Sequence, residues 1–158
     1  MTFIDDVIPL RDRRPTYVPD GSDMAWSGWS LARIVVAFVG VAFAALGVQV
    51  YLMHARSAFH RTEQYAPVIG APLLAIAAAW VVAAPSGAAC TVFVVLGVIG
   101  VLTGALGSAL HVRGVVLRVG GLTFHNLVEG PPVLLPVLYA ALATLGLFAA
   151  RVGLGAPP

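Results

Sequence analysis

Residues 88–110 read AACTVFVVLGVIGVLTGALGSAL, an apolar run of 23 residues without a charged side chain. A helix of about 20 residues is long enough to span the hydrocarbon core of a bilayer. The run shows no alternation of polar and apolar residues, which disfavours a strand, and a helix satisfies its own backbone groups in lipid. This stretch therefore predicts a transmembrane helix.

Three further runs of the same character lie at about 31–53, 67–84 and 133–150. They predict an all-α fold, an integral membrane four-helix bundle that runs up-down-up-down, because this topology suits short connections. The predicted transmembrane domain covers residues 29–158. It follows an irregular polar N-terminal tail, residues 1–28, whose first apolar side chains offer a docking strip for another subunit.

The composition agrees with a membrane protein, since 59% of the residues are hydrophobic and 10% are charged. A soluble domain is about 45–50% apolar and about 25% charged. These values exclude a disordered chain and a typical soluble enzyme. The nine basic residues are all arginine and are scattered along the chain, so no basic patch for nucleic acid is expected.

The use of arginine without lysine, among many alanines and glycines, indicates a GC-rich bacterial genome and hence the bacterial cytoplasmic (inner) membrane. When only the arginines close to the predicted helix ends are counted, the first and third connections carry more positive charge than the opposite side of the membrane. The positive-inside rule then places these two connections in the cytoplasm and both termini outside.

Two predicted helices carry stripes of small residues at spacings of three and four, which place them on one helix face. Small residues let transmembrane helices approach closely, so these stripes predict helix packing. The stripe on the first helix also includes Ala44 and Tyr51. The six predicted packing glycines are Gly40, Gly47, Gly97, Gly100, Gly104 and Gly107.

Each stripe ends in a histidine, His54 on the first helix and His111 on the third, on the same predicted side of the membrane. The first and third helices are diagonal in a bundle that closes in chain order. Two such histidines can supply both axial ligands of a haem iron. Arg56 and Arg113, two residues beyond the histidines, can bind the haem propionates.

This placement resembles that of membrane-bound b-type cytochromes, in which histidines on facing helices hold haem inside a four-helix core. The resemblance concerns ligand placement alone and implies haem b as cofactor and electron transfer as function. The present sequence departs from that pattern, because both histidines lie at the predicted helix ends rather than a turn or two inside.

A second set of polar residues lies on the same predicted side. His60 and Glu63 are three residues apart, and His125 and Glu129 are four apart, so each pair would share a face of a helix. Together they can bind a transition metal at one membrane face. Alternatively, the two glutamates pair with nearby arginines.

No complete catalytic set is present, and the four apolar runs contain no Asp or Glu of the kind that proton-coupled transporters use. The sequence therefore favours a non-catalytic integral membrane subunit that anchors or stabilises a larger bacterial membrane complex, in contact with lipid and other membrane subunits. A b-type haem electron-transfer protein is the first alternative, and the His/Glu metal site is the second.

Overall fold

A computed structural model describes residues 29–153 of the chain. The elements in chain order are α1 (Leu31–Arg56), a short 3-10 helix (Thr62–Gln64), α2 (Tyr65–Ala83), α3 (Gly87–Val116), α4 (Phe124–Glu129) and α5 (Leu134–Gly153). The N-terminal tail, residues 1–28, lies outside the described residues, so its docking role stays a prediction.

Serines begin two of the long helices. The side chain of Ser30 accepts a hydrogen bond from the backbone N–H of Arg33 at 3.3 Å, and the side chain of Ser86 accepts one from Ala89 at 3.2 Å. Such N-caps satisfy backbone donors that have no partner within the helix. Ser86 caps α3 immediately after α2 has ended at Ala83, so the connection between the two helices is short.

The four long helices share one apolar core. The helix α1 packs against α2 and α5, and α3 also packs against α2 and α5, so α1 and α3 lie diagonally opposite each other. Phe43, Leu74, Phe93 and Tyr139, one from each long helix, are buried together in this core. All elements within residues 29–153 are helical, and four helices are long and apolar enough to cross a membrane.

The helices differ from the predicted ones chiefly at one end. The helix α1 continues to Arg56, and α3 continues to Val116, six residues beyond the predicted end at Leu110. No Pro interrupts the sequence there, and α3 stops before Gly120 and Gly121, which both adopt positive φ. As a result His54 lies in the last turn of α1, and His111 lies more than a turn inside α3.

The buried face of α1 also differs from the predicted stripe. Ala44 is exposed and the side chain of Tyr51 is 52% exposed. The core instead receives larger side chains, including those of Val36, Val39 and Phe43. Burying these larger apolar side chains gives more packing contacts. Gly40 and the half-buried Gly47 of the predicted stripe lie close to α2.

Candidate functional site

The structure brings His54 and His111 together. Their ring centroids are 6.5 Å apart and their ring planes are nearly perpendicular, at 87°. The two residues come from diagonally opposed helices, and both are half-buried. A pair of imidazoles at this separation is the most specific chemical feature of the described residues.

The orientation of His111 is fixed by the segment before α5. Its Nδ1 atom lies 3.0 Å from the carbonyl oxygen of Pro132. Since a carbonyl only accepts hydrogen bonds, Nδ1 carries the hydrogen and donates it, and Nε2 keeps a free lone pair. Histidines that bind a metal commonly have such a carbonyl partner on the other ring nitrogen.

A cavity of about 660 Å³ lies at one end of the helix bundle, and His54 and His111 are among the residues that line it. The exposed apolar side chains of Leu106 and Leu117 are part of its lining. Its exposed titratable residues are His60, Arg61, Glu63 and Arg113. We refer to these four residues as the mouth. Ligand pockets in proteins typically have volumes of about 300–1,000 Å³, so the cavity is large enough for a substantial organic molecule.

The inner part of the cavity is apolar and lies deeper in the core. Val50 and Tyr139 are buried, and Leu135 and Pro136 are half-buried. We refer to these four residues as the floor. The site thus combines a charged mouth with an apolar interior, which is the pattern expected for an amphipathic ligand.

Tyr139 has the one buried side-chain polar atom without a hydrogen-bond partner among the described residues, its hydroxyl oxygen. The side chain is only 2% exposed and packs edge-on against Phe43, with ring centroids 5.0 Å apart. The hydroxyl lies against Gly70, where an added Cβ would approach it to 2.6 Å. Buried polar groups are nearly always hydrogen-bonded, so this hydroxyl distinguishes the floor from an ordinary apolar core.

The loop after α1 folds back sharply. Ala58 and Phe59 adopt positive φ of 56° and 47°. Such values are uncommon for residues other than glycine, and they are retained only where the surroundings hold the backbone in place. Phe59 stacks on Tyr65 with ring centroids 4.9 Å apart, and Gln64 donates a side-chain hydrogen bond to the Ser57 hydroxyl at 3.2 Å. This folded loop positions His60 and Arg61 at the mouth.

The connection between α3 and α5 is held by a buried asparagine. Asn126 is 6% exposed, and its side-chain amide donates hydrogen bonds to the carbonyl oxygens of Val119 at 3.0 Å and Gly121 at 2.8 Å. Its backbone N–H donates to the Thr123 side chain, which caps α4. These bonds fix the segment that leads to Pro132, the partner of His111.

The arginines near the histidines differ in whether they line the cavity. Arg113 lies at the mouth, as does Arg61, which the sequence analysis did not assign to a cofactor. Arg56 is exposed and is not among the residues that line the cavity. The sequence could not show this difference, because the position of Arg61 depends on the conformation of the loop after α1.

Of the four residues considered for a metal site, two line the cavity and two do not. His60 and Glu63 lie at the mouth, and His60 Nδ1 is 2.6 Å from the carbonyl oxygen of Ser57. His125 and Glu129 are exposed and do not line the cavity. Across residues 29–153, no group of three or more His, Cys, Asp or Glu side chains is arranged to hold a metal ion.

The glycines considered for packing lie close to neighbouring helices. Gly40 and Gly47 face Ala78 and Ala71 of α2. On α3, a Cβ added at Gly104 would lie 2.6 Å from the backbone nitrogen of Ala140, which is far inside the normal contact distance. The remaining three, Gly97, Gly100 and Gly107, would bring an added Cβ to 2.8–3.0 Å from side chains of α2 or α5.

No protein-family model, no curated protein and no solved structure matches this chain. The site therefore has to be interpreted from its own geometry.

Proposed function

We propose that the protein is a multi-pass membrane protein of the bacterial inner membrane that holds haem b between His54 and His111 and transfers electrons within a larger membrane complex. Its four long helices cross the membrane up-down-up-down, which puts both histidines on one side. The observation that carries this proposal is the close approach of the two imidazole rings at the cavity.

The separation of the two rings would allow His54 and His111 to hold one iron atom between them. A metal–imidazole bond is about 2.0 Å long and the ligating nitrogen lies about 1.2 Å from the ring centre, so the two centroids would lie roughly 6.4 Å apart. The observed centroid distance is 6.5 Å. The hydrogen bond from His111 to Pro132 leaves Nε2 of His111 as the ligating atom.

The surroundings of the pair suit the same cofactor. A haem has a flat apolar body and two carboxylates at one edge, and the cavity has an apolar floor and a charged mouth. Haem supplies one-electron chemistry, and the protein contributes the ligands, the orientation and the polarity around the iron.

A second candidate function is the non-catalytic subunit that anchors or stabilises a larger complex without a cofactor. It is favoured by the apolar side chains that all four long helices expose, among them Phe38, Ile76, Leu102 and Phe148. Such surfaces contact lipid or other membrane subunits. The metal alternative is not carried further, because no cluster of three ligands occurs among residues 29–153.

Absorption spectra of the full chain, purified gently in detergent and recorded oxidised and dithionite-reduced, test the proposal. We expect a Soret band and reduced α and β bands that are lost in His54→Ala and in His111→Ala. His125→Ala is the matched control, because His125 is exposed and outside the cavity lining.

A protein that is colourless as purified and takes up no added haemin would contradict the haem proposal and favour the anchoring subunit. Retention of all bands in both cavity variants would also contradict it. Each variant should elute as wild type in size-exclusion chromatography, so that loss of colour is not loss of the fold.

A further inference from the structure

The mouth of the cavity carries more positive than negative charge. Arg61 and Arg113 line it together with a single carboxylate, that of Glu63. The two arginines come from different elements, since Arg113 lies on α3 and Arg61 lies in the loop after α1. Guanidinium groups bind carboxylates through charge-assisted hydrogen bonds that fix orientation.

The floor lies well below the mouth. Gly104, which lies against the floor residue Pro136, and Arg113 at the mouth are nine residues apart on α3, which corresponds to about 14 Å along a helix. Val50, Leu135 and Tyr139 present apolar surface at this inner end. A flat ligand that is coordinated by both histidines would therefore have one edge at the mouth and the opposite edge at the floor.

We infer that Arg61 and Arg113 bind the two carboxylates of the haem at the mouth, so that its apolar edge enters first and rests against the floor near Tyr139. This inference rests on the proposed function and assigns the orientation of the same cofactor. It replaces Arg56, which the spacing to His54 suggested, with Arg61, which the folded loop places at the cavity.

A titration with two probes tests this orientation. The full chain is purified without haem in detergent and titrated with haemin and, separately, with haemin dimethyl ester, whose carboxylates are blocked. For the double variant Arg61→Gln/Arg113→Gln we expect about a tenfold or larger loss of affinity for haemin, since hydrogen bonds between guanidinium and carboxylate groups are about twice as strong as neutral ones. The affinity for the ester should be that of the wild type.

Two single variants serve as matched comparisons. Arg118→Gln removes an exposed arginine just after the end of α3 that does not line the cavity, and it should bind haemin as the wild type does. Arg56→Gln distinguishes the two assignments directly. If Arg56→Gln weakens haemin binding and Arg61→Gln does not, the arginine pair is the one suggested by sequence spacing and this inference is wrong.

The possible failures have different signatures. Wild-type haemin binding that survives in the double arginine variant, but not in the histidine variants, overturns the orientation and leaves the proposed function standing. An equal loss for haemin and its dimethyl ester means that the arginines support the fold rather than the carboxylates. A wild-type chain that binds neither probe overturns the orientation and the proposed function together.

Discussion

The helix α3 lies tightly against its neighbour α5 but is separated from the diagonally opposed α1. Along Gly97, Gly100 and Gly104 it approaches α5 so closely that an added Cβ would collide with side chains or backbone. At His111, on the same face of the helix, it stands apart from α1 across a cavity of about 660 Å³. We call these two regions the α3–α5 contact and the histidine end.

The difference shows that a stripe of small residues does not by itself define a site. Where a partner helix is available, small residues allow close backbone approach, and the helices associate through packing. At the histidine end His54 and His111 approach each other from the two diagonal helices, and the side chains around them line the cavity. A close helix contact and the lining of a cavity thus lie along the same face of one helix.

The largest expected effect is on the α3–α5 contact. Gly104→Ala places a methyl group against the backbone of Ala140 and the carbonyl oxygen of Pro136, neither of which can move without displacing α5. We expect a loss of about 1–3 kcal/mol of stability, as for overpacked cores. The measurement is the thermal unfolding midpoint in detergent.

Gly87→Ala is the control for that substitution, because nothing lies within 4 Å of a Cβ added at Gly87. It should unfold at or slightly above the wild-type temperature, since alanine is the better helix former. Equal midpoints for Gly104→Ala and Gly87→Ala would mean that the α3–α5 contact is not tight.

A smaller, local effect is expected at the histidine end. Asn126→Ala removes the donor that binds the carbonyl oxygens of Val119 and Gly121. We expect a cost of about 1–2 kcal/mol confined to this connection, because a typical hydrogen bond contributes about 1 kcal/mol. Amide hydrogen exchange should accelerate across residues 117–130.

The α3–α5 contact should keep its wild-type exchange rates in this variant, and His125→Ala, a change of the neighbouring exposed residue, should leave both regions unchanged. Faster exchange spread evenly over all four long helices would show that the connection and the core unfold as one unit.

The smallest effect is expected at the floor. Tyr139→Phe removes the buried hydroxyl that has no partner among the described residues and keeps the ring that packs on Phe43. We expect the haem-free protein to gain up to about 1 kcal/mol of stability, because an unsatisfied buried hydroxyl is costly. A lower unfolding midpoint than wild type would instead reveal a hydrogen-bond partner for Tyr139.

The sequence predicted the helical fold and the four apolar helices, because runs such as 88–110 are long, uninterrupted and uncharged. It did not predict which face of α1 is buried. The small stripe through Ala44 and the larger stripe through Phe43 lie side by side on that helix, and only the packed structure selects the second. Both stripes have the same helical spacing, so the spacing alone does not predict which of the two faces is buried.

The site was predictable in part for similar reasons. His54 and His111 could be paired from their helix positions, because the order of the helices makes α1 and α3 diagonal. Arg61 depends on two positive-φ residues that are not glycine, and the sequence contains no signal for them. Nothing in the sequence reveals that the hydroxyl of Tyr139 has no hydrogen-bond partner among the described residues.

Our claim that His54 and His111 would hold one iron atom between them is tested by electron paramagnetic resonance of the oxidised protein. If the two rings keep their angle of 87° when they hold the iron, the two iron orbitals that interact with them would be nearly equal in energy. We therefore expect a strongly anisotropic low-spin ferric signal with one large g value, which disappears in His54→Ala. A high-spin signal in the wild type, or a low-spin signal unchanged in that variant, would contradict the claim.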